Sequence, residues 1–305
     1  MRAGESTAAR RESEPRTALD YLRRATAFLA AHGSTTPRLD AEVLLAAVLA
    51  TDRVGVYLSF DRPLADSEIT AYRELVRRRA GGEPAAYLTG RREFWSHELA
   101  ITPDVLIPRP ETELLVERAL AAVGDRMRPV RLLDLGTGSG AIAIALAAEL
   151  PAAAVVAVDA SPAATALARR NAAAAGVAAR VALVVGDWGG CLRPGAHFDV
   201  VVSNPPYVTT GALAGLPAEV RREPRLALDG GADGLAAYRR LVPEAARLLV
   251  PGGRLLVEVG VDQAQAVTAL LDACGLVDGE CYTDLAGIAR VVGAAAPVRC
   301  AAREV

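Results

Sequence analysis

Val130-Arg131-Leu132-Leu133-Asp134-Leu135-Gly136-Thr137-Gly138-Ser139-Gly140 is the stretch whose reading decides the fold. Val130 to Asp134 is a short run rich in Val and Leu and reads as a buried strand. It passes without a spacer into a loop with glycine at every second position, and the Ala-rich segment Ala141 to Glu149 then reads as a helix. Glycines at such places let a backbone approach a ligand closely and turn sharply into a helix N-terminus, where free N–H groups face outward. A second strand, Ala154 to Val158, ends in Asp159. That acid follows the glycines by about 20 residues, the spacing at which a carboxylate at a second strand end accepts hydrogen bonds from ribose hydroxyls. Strand, glycine loop, helix, strand and acid together predict a nucleoside site at the edge of a parallel sheet. The GxGxG spacing is one residue tighter than the dinucleotide fingerprint, which disfavours NAD. Which nucleoside binds stays open at this point.

Working outward, helix Pro162 to Ala175 and strand Val181 to Val185 complete a third βα unit, ending in Gly186-Asp187-Trp188. An acid and an indole there could bond to and flank a purine ring; a turn with a half-buried Trp accounts for them equally well. His197 to Val202 reads as a fourth buried strand, followed by Ser203-Asn204-Pro205-Pro206-Tyr207. The two prolines fix the local backbone and hold the Pro205 carbonyl in one direction. Asn204 adds an amide oxygen beside it and Tyr207 a flat aromatic wall, so the segment suits a planar substrate NH2 group. Alone, it reads as readily as a strand ending in a proline-rich turn. A helix from Gly234 to Leu249, a strand Arg254 to Val259, a helix Asp262 to Cys274 and a strand pair near 279–283 and 288–293 follow. Glu258 stands inside its apolar strand, where an acid is seldom buried without a partner, and is expected to anchor a loop.

Toward the N-terminus, residues 1–16 are charged and aperiodic and predict a disordered tail. Helical spacing then appears from Thr17 to Gly33, from Arg38 to Ala50, and from Asp66 or Ser67 to Gly81, giving a small all-helical unit over 17–82. Within the last helix, Arg77-Arg78-Arg79 reads as a solvated face. Residues 83–108 form a linker and a hairpin, with Arg92 to Thr102 as the hairpin and Val105-Leu106-Ile107 as a further short strand. Pro110 and the acids Glu111 and Glu113 suit a helix start reaching to about Val123. The catalytic domain spans 109–305.

The chain has 305 residues and a formal net charge of −2. It lacks the excess positive charge of a protein that grips nucleic acid through phosphates, so no stable nucleic-acid binding is expected. No apolar run approaches the roughly 18 residues of a membrane span, and the N-terminus lacks a signal-peptide core, which predicts a cytoplasmic protein. Cys191, Cys274, Cys281 and Cys300 are scattered without metal-ligand spacing and are read as reduced thiols, with no metal site.

Gly136 to Gly140, Asp159, Asp187 and Asn204 at successive strand ends resemble the class I S-adenosylmethionine-dependent methyltransferases, whose α/β, Rossmann-like domain has seven strands with the last antiparallel. Asn-Pro-Pro-Tyr is similar to the signature of enzymes that methylate planar amino groups, among them N6-adenine DNA methyltransferases. The fuller resemblance is to the release factor glutamine methyltransferases. It is carried by Gly82-Glu83-Pro84, Ala86-Tyr87-Leu88, Val105 to Glu113 with its Pro-Arg-Pro-Glu-Thr-Glu run, Asn204 to Tyr207, Asp229-Gly230-Gly231, Asp233-Gly234-Leu235 and Asp284 to Gly287.

This resemblance implies a five-helix N-terminal domain, two helices more than the spacing shows. It implies S-adenosyl-L-methionine as cofactor, held by Gly136, Thr137, Gly138, Ser139, Gly140, Asp159, Asp187, Trp188 and Asn204. Asn204, Pro205, Pro206 and Tyr207 would bind the substrate and carry the chemistry. The implied substrate is the glutamine of the Gly-Gly-Gln loop of bacterial class I peptide-chain release factors, and the implied state a monomer. The segment Gly211-Ala212-Leu213-Ala214-Gly215 is shorter and less polar than the family pattern. A DNA N6-adenine methyltransferase and a non-catalytic binding module are the competing readings.

Overall fold

A computed structural model of the chain describes residues 17–195 and 197–298. The expected tail over 1–16 and Cys300 lie outside them. Two compact units divide the chain between Thr89 and Gly90, several residues beyond the expected end of the helical segment at residue 82.

The first unit is helical: α1 (Ala18–Ala31), α2 (Pro37–Val48), α3 (Arg53–Leu58), α4 (Asp66–Ala80) and α5 (Ala85–Thr89). Thr17 caps α1, accepting from the Asp20 N–H while Asp20 accepts from the Thr17 N–H, both at 3.3 Å, a reciprocal pairing that satisfies two end donors. Leu22, Leu29, Leu44, Leu45 and Tyr72 form the core. The helices α3 and α5 escape the periodicity reading because six and five residues are too few to show an apolar stripe. Arg77 to Arg79 do not share a solvated face as expected. Arg79 is buried and bonds Asp40, itself buried, at 2.9 Å, whereas Arg77 and Arg78 pair with Glu74 and Glu83 on the outside.

The second unit opens with a hairpin of β1 (Arg91–Phe94) and β2 (His97–Ala100). Its two-residue turn places Trp95 and Ser96 at φ of 50° and 59°, the hairpin geometry normally given to Asn-Gly. Bonds from the Trp95 backbone N–H to Glu113 and from its indole N–H to Glu149 hold that turn. Val105 to Ile107, expected as a strand, is irregular. Its backbone has a side-chain partner instead of a strand partner: the Ile107 N–H donates to Glu223 Oε2 at 3.1 Å.

After a 3-10 turn at Pro110–Thr112 the chain continues through α6 (Glu113–Val123), β3 (Arg131–Leu135), α7 (Ala141–Glu149), β4 (Ala154–Asp159), α8 (Pro162–Ala174), β5 (Val181–Val185) and β6 (Phe198–Ser203). Then come α9 (Arg225–Leu228), α10 (Ala236–Leu248), β7 (Leu249–Glu258), α11 (Ala264–Ala273), β8 (Val277–Thr283) and β9 (Ala289–Ala295). The sheet has seven strands in the order β5-β4-β3-β6-β7-β9-β8, and β9 runs antiparallel to both neighbours. The first crossovers run from β3 outward to β5, and the chain then returns to the other side of β3 as β6. That reversal opens a crevice between the carboxyl ends of β3 and β6, the place where open α/β sheets bind ligands. Register brings the ends level, with Leu135 opposite Ser203 and Val158.

Candidate active site

A cavity of about 270 Å³ opens at this switch point. Of the residues singled out in the sequence, Gly136, Thr137, Gly138, Ser139, Asp159, Asp187, Trp188, Asn204 and Pro206 line it. Gly140, Pro205 and Tyr207 are not among its lining residues. Gly140 stands at the N-cap of α7 with φ of 86°, and a Cβ there would come within 3.1 Å of Ala168 and Ile144. Its role in the structure is the close packing of α7 on α8.

The glycine loop is held by nearby chain. The N–H groups of Gly136 and Thr137 donate to the Val158 carbonyl at 2.8 and 3.0 Å. Asp159 accepts from the Gly138 N–H with Oδ2 and from the Ser161 N–H with Oδ1, both at 2.8 Å. Each carboxylate oxygen keeps further acceptor capacity for a ligand. Beneath the loop, Asp134 is fully buried and accepts from the Thr137 hydroxyl at 2.7 Å. Burial pushes the Asp134 carboxyl up to about 7, the Thr137 hydroxyl working against the shift and the Asp159 charge adding to it. Asp187 is exposed and forms an ion pair with Arg240, which also lines the cavity. Trp188, at φ of 51°, lies against the glycine loop: a Cβ on Gly136 would stand 3.6 Å from its ring.

The opposite wall is held by distant chain. Asn204 Nδ2 donates to Thr112 Oγ1 at 3.1 Å, and the Thr112 hydroxyl donates to Glu258 Oε2 at 2.6 Å. Among the described residues, Asn204 Oδ1 has no hydrogen-bond partner. Burial pushes the Glu258 carboxyl up to about 7; the Thr112 hydroxyl, Arg290 and Arg109 pull down and Glu111 pushes up. After the prolines, Gln263 Nε2 donates to the Tyr207 carbonyl at 3.0 Å while its Oε1 accepts from the Gly260 N–H at 3.0 Å. Gly234, at φ of 76°, presses on the same loop so closely that a Cβ would stand 2.5 Å from the Tyr207 oxygen. Burial, reinforced by Glu258, pushes the Tyr207 hydroxyl up to about 12 and keeps it neutral. The Arg109–Glu223 ion pair at 2.5 Å ties the Pro-Arg-Pro segment to the loop before α9.

Thr112, Arg240 and Gln263 are parts of this arrangement that sequence reasoning missed. Thr112 sits in the quoted Pro-Arg-Pro-Glu-Thr-Glu run, where the acids drew attention to the helix start. Arg240 is one of two adjacent arginines on an amphipathic helix, with no local mark to separate it from a solvated charge. Among the described residues no cluster of His, Cys, Asp and Glu could hold a metal ion, and no helix is long and apolar enough to cross a membrane.

The strand order, the lone antiparallel strand and a glycine-lined cleft at the switch point define a methyltransferase of the class I, Rossmann-like kind. The hMettl16 catalytic domain, solved in complex with a 3'UTR hairpin, has the same fold, with a TM-score of 0.54 at 16% identity over 69% of this chain and 79% of that one. Residues 20–90 match the PrmC N-terminal domain and residues 111–216 the methyltransferase small domain. Release factor glutamine methyltransferase of Geobacter sulfurreducens is 48% identical over 91% of this chain and 95% of its own length. Its counterpart from Moorella thermoacetica is 50% identical over 83% and 88%. The chain belongs to the release factor glutamine methyltransferase family.

Proposed function

We propose that this enzyme transfers a methyl group from S-adenosyl-L-methionine to the side-chain amide nitrogen of the glutamine in the Gly-Gly-Gln loop of bacterial class I release factors. The observation that carries the reading is the Asn204 amide at the cleft, tied by its nitrogen to Thr112 and with its oxygen without a partner among the described residues. The cofactor assignment rests on the cleft's own chemistry. Asp159 has acceptor capacity for a ribose diol, Trp188 and Ile142 give flat and apolar surface for a base, and the backbone of Gly136 to Ser139 leaves room beside them. Asp187 would hold the base or ribose edge, with its charge shared by Arg240. When bound, the cofactor supplies an electrophilic methyl group.

An amide nitrogen is a poor nucleophile because its lone pair is delocalised into the carbonyl. Asn204 Oδ1 and the Pro205 carbonyl would accept its two N–H bonds, directing the lone pair out of the amide plane. Pro206 fixes the direction of the Pro205 carbonyl, and Tyr207, neutral and half-buried, packs against the amide. Fixed dipoles aimed at the reacting nitrogen lower the barrier without a strong base in the loop. In this reading the protein works in the cytoplasm, where release factors act. The net charge of −2 gives no support to the DNA N6-adenine alternative, which needs a cationic cleft and a flipped base.

Mass spectrometry of the Gly-Gly-Gln peptide, after incubation of a release factor with the enzyme and S-adenosylmethionine, tests the reading. One added methyl on the glutamine is expected. An unmodified glutamine in the presence of a cofactor-loaded enzyme would refute it.

A further inference from the structure

We infer that Thr112 and Glu258 form a positioning relay that sets which end of the Asn204 amide faces the substrate, so that turnover depends on the ionisation of Glu258. The inference rests on the proposed role of Asn204 and extends it to two residues that do not touch the reacting atoms. A carboxylate can only accept hydrogen bonds, so the Thr112 hydroxyl must give its proton to Glu258 Oε2. Its oxygen is then an acceptor, and only the Nδ2 end of Asn204 can satisfy it. The contacts at 2.6 and 3.1 Å follow that order. The consequence is that Oδ1, the end able to accept a substrate N–H, is turned to the cleft. Glu258 is 2% exposed and Thr112 is 4% exposed, so water does not compete freely for either bond.

Protonation of Glu258 reverses this order. The acid's O–H can donate to Thr112, whose own proton is then free to bond Asn204 Oδ1. The amide can then rotate its NH2 end into the cleft, where it meets a substrate NH2 group donor to donor. The charged groups facing Glu258 are Glu111 from the turn before α6, Arg109 from the preceding segment and Arg290 from β9, with the hydroxyls of Tyr207 and Tyr238 as titratable neighbours. Burial outweighs the two arginines and brings the carboxyl to about 7, so the switch falls inside the working range of pH.

The chain contains only two asparagines, Asn171 and Asn204, which makes the relay visible directly. Selective 15N labelling of asparagine gives two side-chain NH2 signals, assigned by loss of one in Asn204→Ala. The Asn204 pair is expected to titrate with a midpoint near 7 in the wild type and to be flat over the same range in Glu258→Gln. In parallel, Thr112→Val is expected to lower kcat at least tenfold with cofactor Kd within about threefold, and Thr112→Ser to restore kcat to within about threefold. A purely structural role would let the isosteric, apolar valine keep its turnover. Wild-type kcat in Thr112→Val, or Asn204 signals that ignore pH in the wild type, would overturn the relay. Absence of methyl transfer by the wild type would instead overturn the substrate assignment, and the labelled amide would still decide the relay.

Discussion

The two walls of the cleft are built differently. The glycine loop is held by bonds from residues 3 to 32 positions away: Asp134 to Thr137 is three apart, Asp159 to Gly138 is 21 and Asn171 to Ser139 is 32, and the Asp187–Arg240 pair at its rim reaches 53. Across the cleft, Asn204 is tied to Thr112 over 92 residues, Thr112 to Glu258 over 146, and Gln263 to Tyr207 over 56. The glycine loop with Asp159 can take shape once β3 and β4 pair, and Trp188 closes on it when β5 is added. The second wall requires the segment before α6, the loop after β6 and the end of β7 to be in place together. Cofactor affinity should therefore reside in the first wall and catalytic precision in the second, and substitutions can test that division.

The largest effect is expected for Asn204→Ala. In the proposed reaction it removes an acceptor whose contact would strengthen as the amide nitrogen leaves planarity, so turnover should carry the loss. A fall in kcat of about a thousandfold or more, some 4 kcal/mol of barrier, is expected, with cofactor affinity within about tenfold. Methyl transfer to a release factor and calorimetry with the cofactor measure the two quantities separately. Unchanged turnover would dissolve the contrast between the walls.

Asp159→Ala is the converse experiment. It removes the acceptors proposed for the ribose and frees the Gly138 and Ser161 N–H groups that hold the loop in shape. Cofactor Kd should rise about ten- to a hundredfold, with kcat at saturating cofactor nearer to wild type. Calorimetry showing unchanged affinity would remove Asp159 from the first wall's role.

The same division explains what could be read from the amino acids. The strands β3, β4 and β5, the glycine loop and Asp159 were legible because their partners follow within one or two elements, so spacing alone carries the geometry. Asn204 was legible as a candidate through the prolines beside it. Its support was not: nothing near Thr112 signals a partner 146 residues away, and only the oddity of Glu258 in an apolar strand hinted at one. Tertiary bonds also misled locally. Val105 to Ile107 has strand-like residues, yet its backbone turns to Glu223. Trp95 takes a left-handed turn position because Glu113 and Glu149 hold it there. Arg79 sits in a charged run yet is buried, because Asp40 meets it from another helix.

A weaker effect on the second wall is expected from Gln263→Leu. It removes the clamp on the Tyr207 carbonyl and leaves the Gly260 N–H without its acceptor. Leaving buried backbone groups unpaired costs on the order of 1–3 kcal/mol of stability. A kcat lowered about three- to tenfold with unchanged cofactor Kd would place the clamp on the catalytic side. A change in Kd alone would blur the two walls.

The smallest effect separates the walls through stability alone. Asp134 lies under the glycine loop, and its carboxyl is held up to about 7 by burial from an ordinary value of 3.8. Between those limits the folded chain binds a proton that the unfolded chain has released, so this group makes stability fall as pH rises through that window. Glu258, raised from 4.5 to about 7, acts in the same direction from the second wall. Asp229 and Asp233 are lowered by their own partners and act in the opposite sense at lower pH, Asp233 near 2. The melting temperature should therefore be higher near pH 6 than near pH 8. Asp134→Asn keeps the shape and can still accept from the Thr137 hydroxyl, so it should flatten part of that slope while leaving in place an acid limb of kcat, the fall in turnover expected from the proposed relay as Glu258 protonates. If the substitution instead erases the acid limb and leaves the melting slope intact, the two buried acids have exchanged roles and the separation of the walls fails.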